Sequence, residues 1–231
     1  MTAQQWPPNS MDRPKPPIVR VGPPGAPVPP PSDAVVLFDG SDLSQWTAHD
    51  GTAPKWKVAP GYMEVVPGTG SLVSRRAFGS MQLHIEWATP KPPHGQGQER
   101  GNSGVFLMGL YEIQVLDGYD NVTYADGQAG AVYGQTPPLV NPARPPGEWQ
   151  TYDIVFHRPL FGPDGRVVRP ARVTLFYNGV LVQDETEITG RTVHGAVAHY
   201  EPHQDKLPLA LQDHGNPLRY RDIWVRELPA P

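Results

Sequence analysis

Gly101–Asp117, GNSGVFLMGLYEIQVLD, reads as two short β-strands, VFLM and YEIQVL, joined by a tight Gly109-Leu110 connection. On the second strand the side chains alternate. Tyr111, Ile113 and Val115 fall on one side; Glu112, Gln114 and Leu116 fall on the other. The first face packs into a core. The second carries a carboxylate and an amide two residues apart, placed either to meet a ligand or, on an edge strand, to meet only solvent.

Outward from this hairpin the same grammar repeats. MQLHIEWATP upstream alternates Met81, Leu83, Ile85 and Trp87 with Gln82, His84 and Glu86. KWKVAPGYMEVVPGTGSLVSRR gives three short strands separated by Pro-Gly and Gly-x-Gly turns. AVVLFDG is a strand, followed by a short helical or irregular piece with Leu43 and Trp46. Downstream, EWQTYDIVFHRP and ARVTLFYNGVLVQDETEI are strands, the latter folded at Asn178-Gly179. LPLALQDHG and LRYRDIWVREL close the chain. No helix longer than about two turns and no internal repeat is visible. Many short alternating strands with Gly/Pro turns predict an all-β, two-sheet antiparallel sandwich.

Two stretches fall outside this pattern. Gly118–Gly147 is long for a loop in a compact domain, which points to a functional or disordered segment. Its Tyr119, Tyr124, Gln128, Tyr133 and Gln135 suit contact with sugars. Residues 1–32 form a Pro-rich arm, with 11 of the chain's 30 prolines before Ser32. Such a segment is extended and polyproline-like, with Trp6, Ile18 and Val19 as anchors on the body or on a neighbouring subunit. Residues 33–231 form the sandwich domain.

A chain of 231 residues with net charge −4 and pI near 6.0 carries no nucleic-acid footprint. Zero cysteines exclude disulfides and thiolate metal sites. No apolar run reaches the roughly 18–20 residues of a membrane span. The N-terminal MTAQQWPPNS lacks the apolar core of a signal peptide, as would a processed chain given a start methionine.

Taken in order, LFDGSDLSQW, GNSGVFLMGLYEIQVLD, GAVYGQTPP, GEWQTYDIVF, VTLFYNGVLVQ and LPLALQDHGNPLRYRDIWVREL resemble the 3-keto-disaccharide hydrolase domain family from about Ala34 to Leu228. The resemblance implies a concanavalin A-like jelly-roll sandwich whose concave sheet holds the sugar. It also implies a bacterial protein of the periplasm or extracellular space. The implied activity is cleavage, by elimination or net hydrolysis, of glycosides already oxidised to a ketone at C3. A weaker likeness sets Glu112-Ile-Gln114-Val-Leu-Asp117 against the Glu-x-Asp-x-x-Glu strand of laminarinase-like glycosidases. Those use two carboxylates about 5–5.5 Å apart for the retaining mechanism. Here an amide, Gln114, replaces the middle carboxylate, so an ordinary retaining glycosidase is a poor fit.

A C3 ketone acidifies the C2 proton, because the carbanion is delocalised as an enolate. The site then needs a base titrating near neutrality, donors or a metal for the enolate oxygen, and an acid for the leaving group. His214, in Leu211-Gln-Asp-His-Gly215, is the first candidate for base or metal ligand; otherwise it is a surface turn histidine. Glu112 is the second, as acid/base or ligand, or else a carboxylate satisfied by an arginine. Asn102, Ser103 and Gln114 are candidate donors to the sugar, although Asn102-Ser103 also suits a turn. Asp117 binds sugar or caps a turn. Arg100, Tyr133, Gln135, Gln212, His203 and Lys206 complete the candidate substrate contacts, with His94 in the loop before GNSG and Glu86 on the polar face of its strand. Arg219 and Arg221 are read as ion-pair partners of a buried carboxylate. The cofactor is open. A divalent ion held by Glu112, Asp213 and His214 is one option, and no HExxH zinc motif occurs. The alternatives to an enzyme are a lectin-like carbohydrate-binding module and a secreted structural protein that oligomerises through the arm.

Overall fold

A computed structural model of the chain describes residues 6–229. Five strands come first: β1 Val35–Phe38, β2 Trp46–Ala48, β3 Lys57–Ala59, β4 Tyr62–Glu64 and β5 Leu72–Phe78. β6 Met81–Ala88, β7 Ser103–Leu107, β8 Tyr111–Val115 and β9 Gln150–His157 follow. The last third holds β10 Leu160–Phe161, β11 Val167–Arg169, β12 Arg172–Tyr177, β13 Val180–Glu187, β14 Leu207–Leu211 and β15 Arg219–Glu227. The only helices among the described residues are single 3-10 turns at Gly97–Glu99 and Ala125–Gly127. None is long and apolar enough to cross a membrane.

The strands assemble into two principal sheets. One has eight strands in the order β13-β12-β9-β6-β15-β4-β3, with β1 also paired to β15; the other has five, β2-β5-β14-β7-β8. Every strand pairing within them is antiparallel. The chain is therefore the all-β sandwich that its alternation predicts. Between the sheets, Trp87 packs against Tyr152 at 5.3 Å and Tyr152 against Tyr177 at 5.0 Å, both edge-on. Trp56 stacks on Tyr220 at 5.8 Å. Each such ring contributes about 1.5–3 kcal/mol by leaving water.

The structure departs from the sequence reading in four places. Trp46 begins a strand rather than a helical piece, because its indole donates to Leu37 O at 2.8 Å while its backbone pairs with Ser74. The central hairpin closes over three residues, Met108–Leu110, since Leu107 pairs with Tyr111. Met108 (φ 55°) and Gly109 (φ 68°) take the left-handed turn. The short β10–β11 ribbon has too few residues to show alternation. Finally, the long Gly118–Gly147 stretch is ordered against β8. Gly130 N donates to Gln114 O, Gln114 N to Ala131 O and Tyr133 N to Glu112 O, at 3.0, 3.0 and 3.1 Å. Residues 130–133 thus cover the edge that β8 would otherwise leave open.

The Pro-rich arm lies along its own chain. Val19 N donates to Asn141 O and Asn141 N to Pro17 O, at 3.0 and 2.8 Å. Arg144 Nε donates to Gly22 O at 2.8 Å. Arg20 stacks over Tyr119 at 4.7 Å. Anchoring is by backbone and arginines more than by apolar side chains: Ile18 stays 57% exposed.

Candidate active site

Because Tyr111, Ile113 and Val115 point into the sandwich, Glu112 and Gln114 must stand on the outer face of the five-stranded sheet. They form the floor of a cleft of about 240 Å³ lined by Asn102, Phe106, Glu112, Gln114, Tyr133, Thr192, His194, Gln212 and His214. β7 and β8 supply the floor. The 130–133 segment and the loop after β13 supply one wall; the turn after β14 supplies the other. Gly104 sits opposite Gln114 in the ladder and is glycine for a spatial reason. A Cβ there would collide with the Glu112 carboxylate and lie 2.8 Å from the Phe106 ring.

Glu112 is 5% exposed, and no lysine or arginine lines the cleft. Burial pushes its carboxyl up to about 8, so the neutral acid is favoured at pH 7. Gln114 Nε2 donates to Gln98 Oε1 and Asn102 Oδ1 at 3.0 and 3.2 Å. On the wall, Tyr124 Oη lies 2.6 Å from Tyr133 Oη, which lies 2.8 Å from His194 Nδ1. Burial raises both tyrosines. Across the cleft, Asp213 Oδ1 accepts from Gly215 N at 2.9 Å and Oδ2 from Gly70 N at 3.0 Å. That turn presents the exposed His214 beside Gln212, whose Oε1 is buried without a hydrogen-bond partner.

Comparison with known proteins places this geometry. The 3-keto-alpha-glucoside-1,2-lyase-like domain matches residues 33–226. The chain belongs to that family. A crystal structure of a candidate glycosyl hydrolase from Parabacteroides distasonis ATCC 8503 is similar at 42% identity and TM-score 0.85, over 94% of this chain and 95% of that one. Two further candidate glycosyl hydrolases of that organism share the fold. One has 18% identity and TM-score 0.63, over 85% of this chain and 94% of its own; the other 20% and 0.58, over 84% and 99%. Comparison with curated proteins found no match. The lyase-like domain is thus carbohydrate-active by family.

Six of the candidate residues meet at the cleft of this lyase-like domain: Glu112, His214, Asn102, Gln114, Tyr133 and Gln212. The other candidate contacts are committed elsewhere. Ser103 Oγ donates to Gln212 O and accepts from Tyr220 Oη, both at 2.6 Å, and is fully buried. Arg100 pairs with Asp117 at 2.8 Å. The Asp117 carboxyl is nevertheless raised, because burial outweighs Arg100. Gln135 Oε1 accepts from Thr189 N at 2.7 Å, and its Nε2 donates to Gly190 O at 3.1 Å. His203 Nε2 meets Tyr111 Oη at 2.6 Å, and Lys206 pairs with Glu227. Glu86 does not share the site's sheet: it lies on β6 of the other sheet and pairs with Arg221 at 2.7 Å, the role read for that arginine. His94 lines a separate hollow beside Asp117 and Gly215.

The proposed metal set does not assemble. Asp213 spends both oxygens on backbone N–H groups, and among the described residues no three His, Asp or Glu side chains gather as a metal site. His194 and Thr192 were missed. Thr192 Oγ1 accepts from Glu112 N at 2.9 Å, and nothing in its local sequence marks this. His194-Gly195 does repeat the His-Gly pattern of His214-Gly215, and that was the available signal.

Proposed function

We propose that this chain cleaves the glycosidic bond of sugars oxidised at C3, by removing the C2 proton and eliminating the C1 substituent. The observation that carries the reading is that a single carboxyl, Glu112, lines the cleft, opposite a histidine. Hydrolysis of an unoxidised glycoside in the usual way uses two carboxylates, and a second is missing among the lining residues. Elimination from a 3-keto sugar needs one base and one acid.

In this scheme His214 takes the C2 proton, and the C–H electron pair becomes the enolate of C2, C3 and the C3 oxygen. The enolate then reforms the C3 carbonyl as C1=C2 forms and the C1–O bond breaks. Glu112, neutral at rest, gives its proton to the departing oxygen. In the same scheme Gln212 and His194 hold sugar hydroxyls and the C3 oxygen, and Asn102 acts behind them by holding Gln114. Water added across C1=C2 completes net hydrolysis. On the family resemblance, the reaction belongs to the periplasm or the extracellular space of a bacterium.

The test is incubation with a 3-keto-glucoside and with its unoxidised parent, followed by mass spectrometry of the products. Cleavage of the keto-sugar alone supports the reading. Cleavage of the parent contradicts it, and binding of both sugars without product would instead make the cleft that of a lectin-like module.

A further inference from the structure

The side-chain amides around Glu112 have a polarity that can be traced outward to fixed backbone groups. Gln98 Nε2 donates to Gly127 O at 2.9 Å and to Thr123 Oγ1 at 2.8 Å. A backbone carbonyl can only accept, so the Gln98 amide is fixed and its Oε1 must face the other way. Asn102 Nδ2 donates to Gln98 O at 2.7 Å, which fixes Asn102 by the same reasoning and leaves its Oδ1 as an acceptor. Gln114 meets these two acceptors, Gln98 Oε1 and Asn102 Oδ1, and must turn its Nε2 toward them. Its own Oε1 is then forced to within 3.1 Å of Glu112 Oε1 and 3.2 Å of Ser103 O.

Three oxygens without a hydrogen among them repel. A proton on Glu112 turns the contact with Gln114 into an O–H···O hydrogen bond. The opposite amide orientation would let Gln114 donate to Glu112 and Ser103 O, but would press its carbonyl oxygen onto Gln98 Oε1 and Asn102 Oδ1. The conflict moves and does not disappear.

We propose that Gln98 and Gln114 form an orientation-locked amide relay that keeps a proton on Glu112, so that Glu112 enters the reaction as an acid. Gln98 lies outside the residues lining the cleft; it is a positioning residue that acts through Gln114. The other titratable groups around Glu112 do not supply a competing positive charge from its own floor. Tyr124 and Tyr133 face it from the long loop and Tyr220 from the opposing sheet; His194 and His214 stand across the cleft. The acid role rests on the elimination reading above, whereas the protonation itself is a property of the resting protein.

The experiment is therefore done on the full chain without sugar. The protonation of Glu112 is followed by carboxyl 13C NMR across pH 5–9, with Glu112→Gln identifying the signal, in the wild type and in Gln98→Met. The wild type should hold the proton at neutral pH. Gln98→Met removes the nearer of the two acceptors that pin Gln114 and leaves only Asn102 Oδ1; this frees the amide to turn toward Glu112 and should lower the titration midpoint by about one pH unit, a tenfold change in the ionisation equilibrium. An ionised Glu112 in the wild type at pH 6.5 would overturn the proposal, and the wild-type titration decides this even if the variant fails to fold. An unchanged midpoint in folded Gln98→Met would also overturn it, because burial alone would then account for the proton. If the titration holds but keto-sugars are not cleaved, the activity reading falls and the relay stands.

Discussion

Glu112 and Glu86 are the same residue type on outward-facing positions of the two sheets, and both are almost fully buried. Their surroundings drive them to opposite states. At Glu86 burial pushes the carboxyl up, but His84 and Arg221 outweigh it and hold it below the usual range. His84 is in turn raised to about 9: burial works against it, and Asp153 at 2.7 Å with Glu86 at 3.9 Å prevails. Stacking of His84 on Trp224 at 5.1 Å and of Arg221 on Trp149 at 4.2 Å closes the network. Glu112 has no such partners. A carboxylate whose charge is answered on the spot is architecture. One that is buried, uncompensated and open to a cleft is available for proton transfer.

The comparison is broken most directly by exchanging charge for amide at each site. Glu112→Gln should lower kcat on a 3-keto-glucoside by about 10²–10⁴-fold with the β-sheet circular dichroism unchanged. Glu86→Gln should leave kcat within a factor of two and instead destabilise the fold by about 3 kcal/mol in urea, because the buried His84 and the half-buried Arg221 lose the carboxylate between them. His214→Ala should match Glu112→Gln in activity; full turnover in that variant would remove His214 from the mechanism. Gly104→Ala comes next. Its Cβ displaces the Glu112 carboxylate, and a loss in kcat of about tenfold or more is expected from misplacement alone.

Stability against pH sharpens the contrast, because both sites lose stability as pH rises but only the Glu86 site also loses it as pH falls. Glu112 is raised from 4.5 to about 8 in the folded chain, so folding retains a proton that the unfolded chain has lost. Its contribution is most favourable below pH 4.5 and becomes a penalty as pH rises toward 8. Glu112→Gln should therefore gain on the wild type in urea midpoint between pH 5 and 8. His84, raised from 6.5 to about 9, contributes stability that is full below pH 6.5 and lost as pH rises through 9. A His84→Gln variant should be most damaging near pH 6 and least damaging near pH 10. At acid pH, Glu86, lowered in the fold, loses its contribution as pH falls below 4.5.

The smallest effect belongs to the arm. Asn9, at φ 61°, donates its backbone N–H to Asp126 Oδ2 at 3.0 Å and accepts from Gly195 N at 2.9 Å, next to His194. Asn9→Gly keeps that backbone conformation and removes the side chain. KM for the keto-sugar should rise about threefold with kcat little changed.

Much of this contrast was legible in the residues and part was not. Alternation in Tyr111–Val115 and Met81–Ala88 gave the strands and identified both carboxylates as polar-face residues. The sequence cannot show which partner reaches such a face from a distant segment. Arg221 answers Glu86 from 135 positions away, and among the described residues no lysine or arginine answers Glu112. Ser103, Gln135, His203 and Lys206 looked like sugar contacts because they are polar and lie near the family motifs, yet each is satisfied within the protein. Residues 130–133, GAVY, are too short and glycine-flanked to show a strand period, so the wall carrying Tyr133 became visible only in three dimensions.

The central claim is that a C2 proton is removed before the glycosidic bond breaks, and reaction in D₂O tests it most directly. Cleavage of a 3-keto-glucoside by the wild type should give hydrated product with deuterium at C2, while the unoxidised parent is returned intact and unlabelled. Product without deuterium at C2, or cleavage of the parent sugar, would contradict the account.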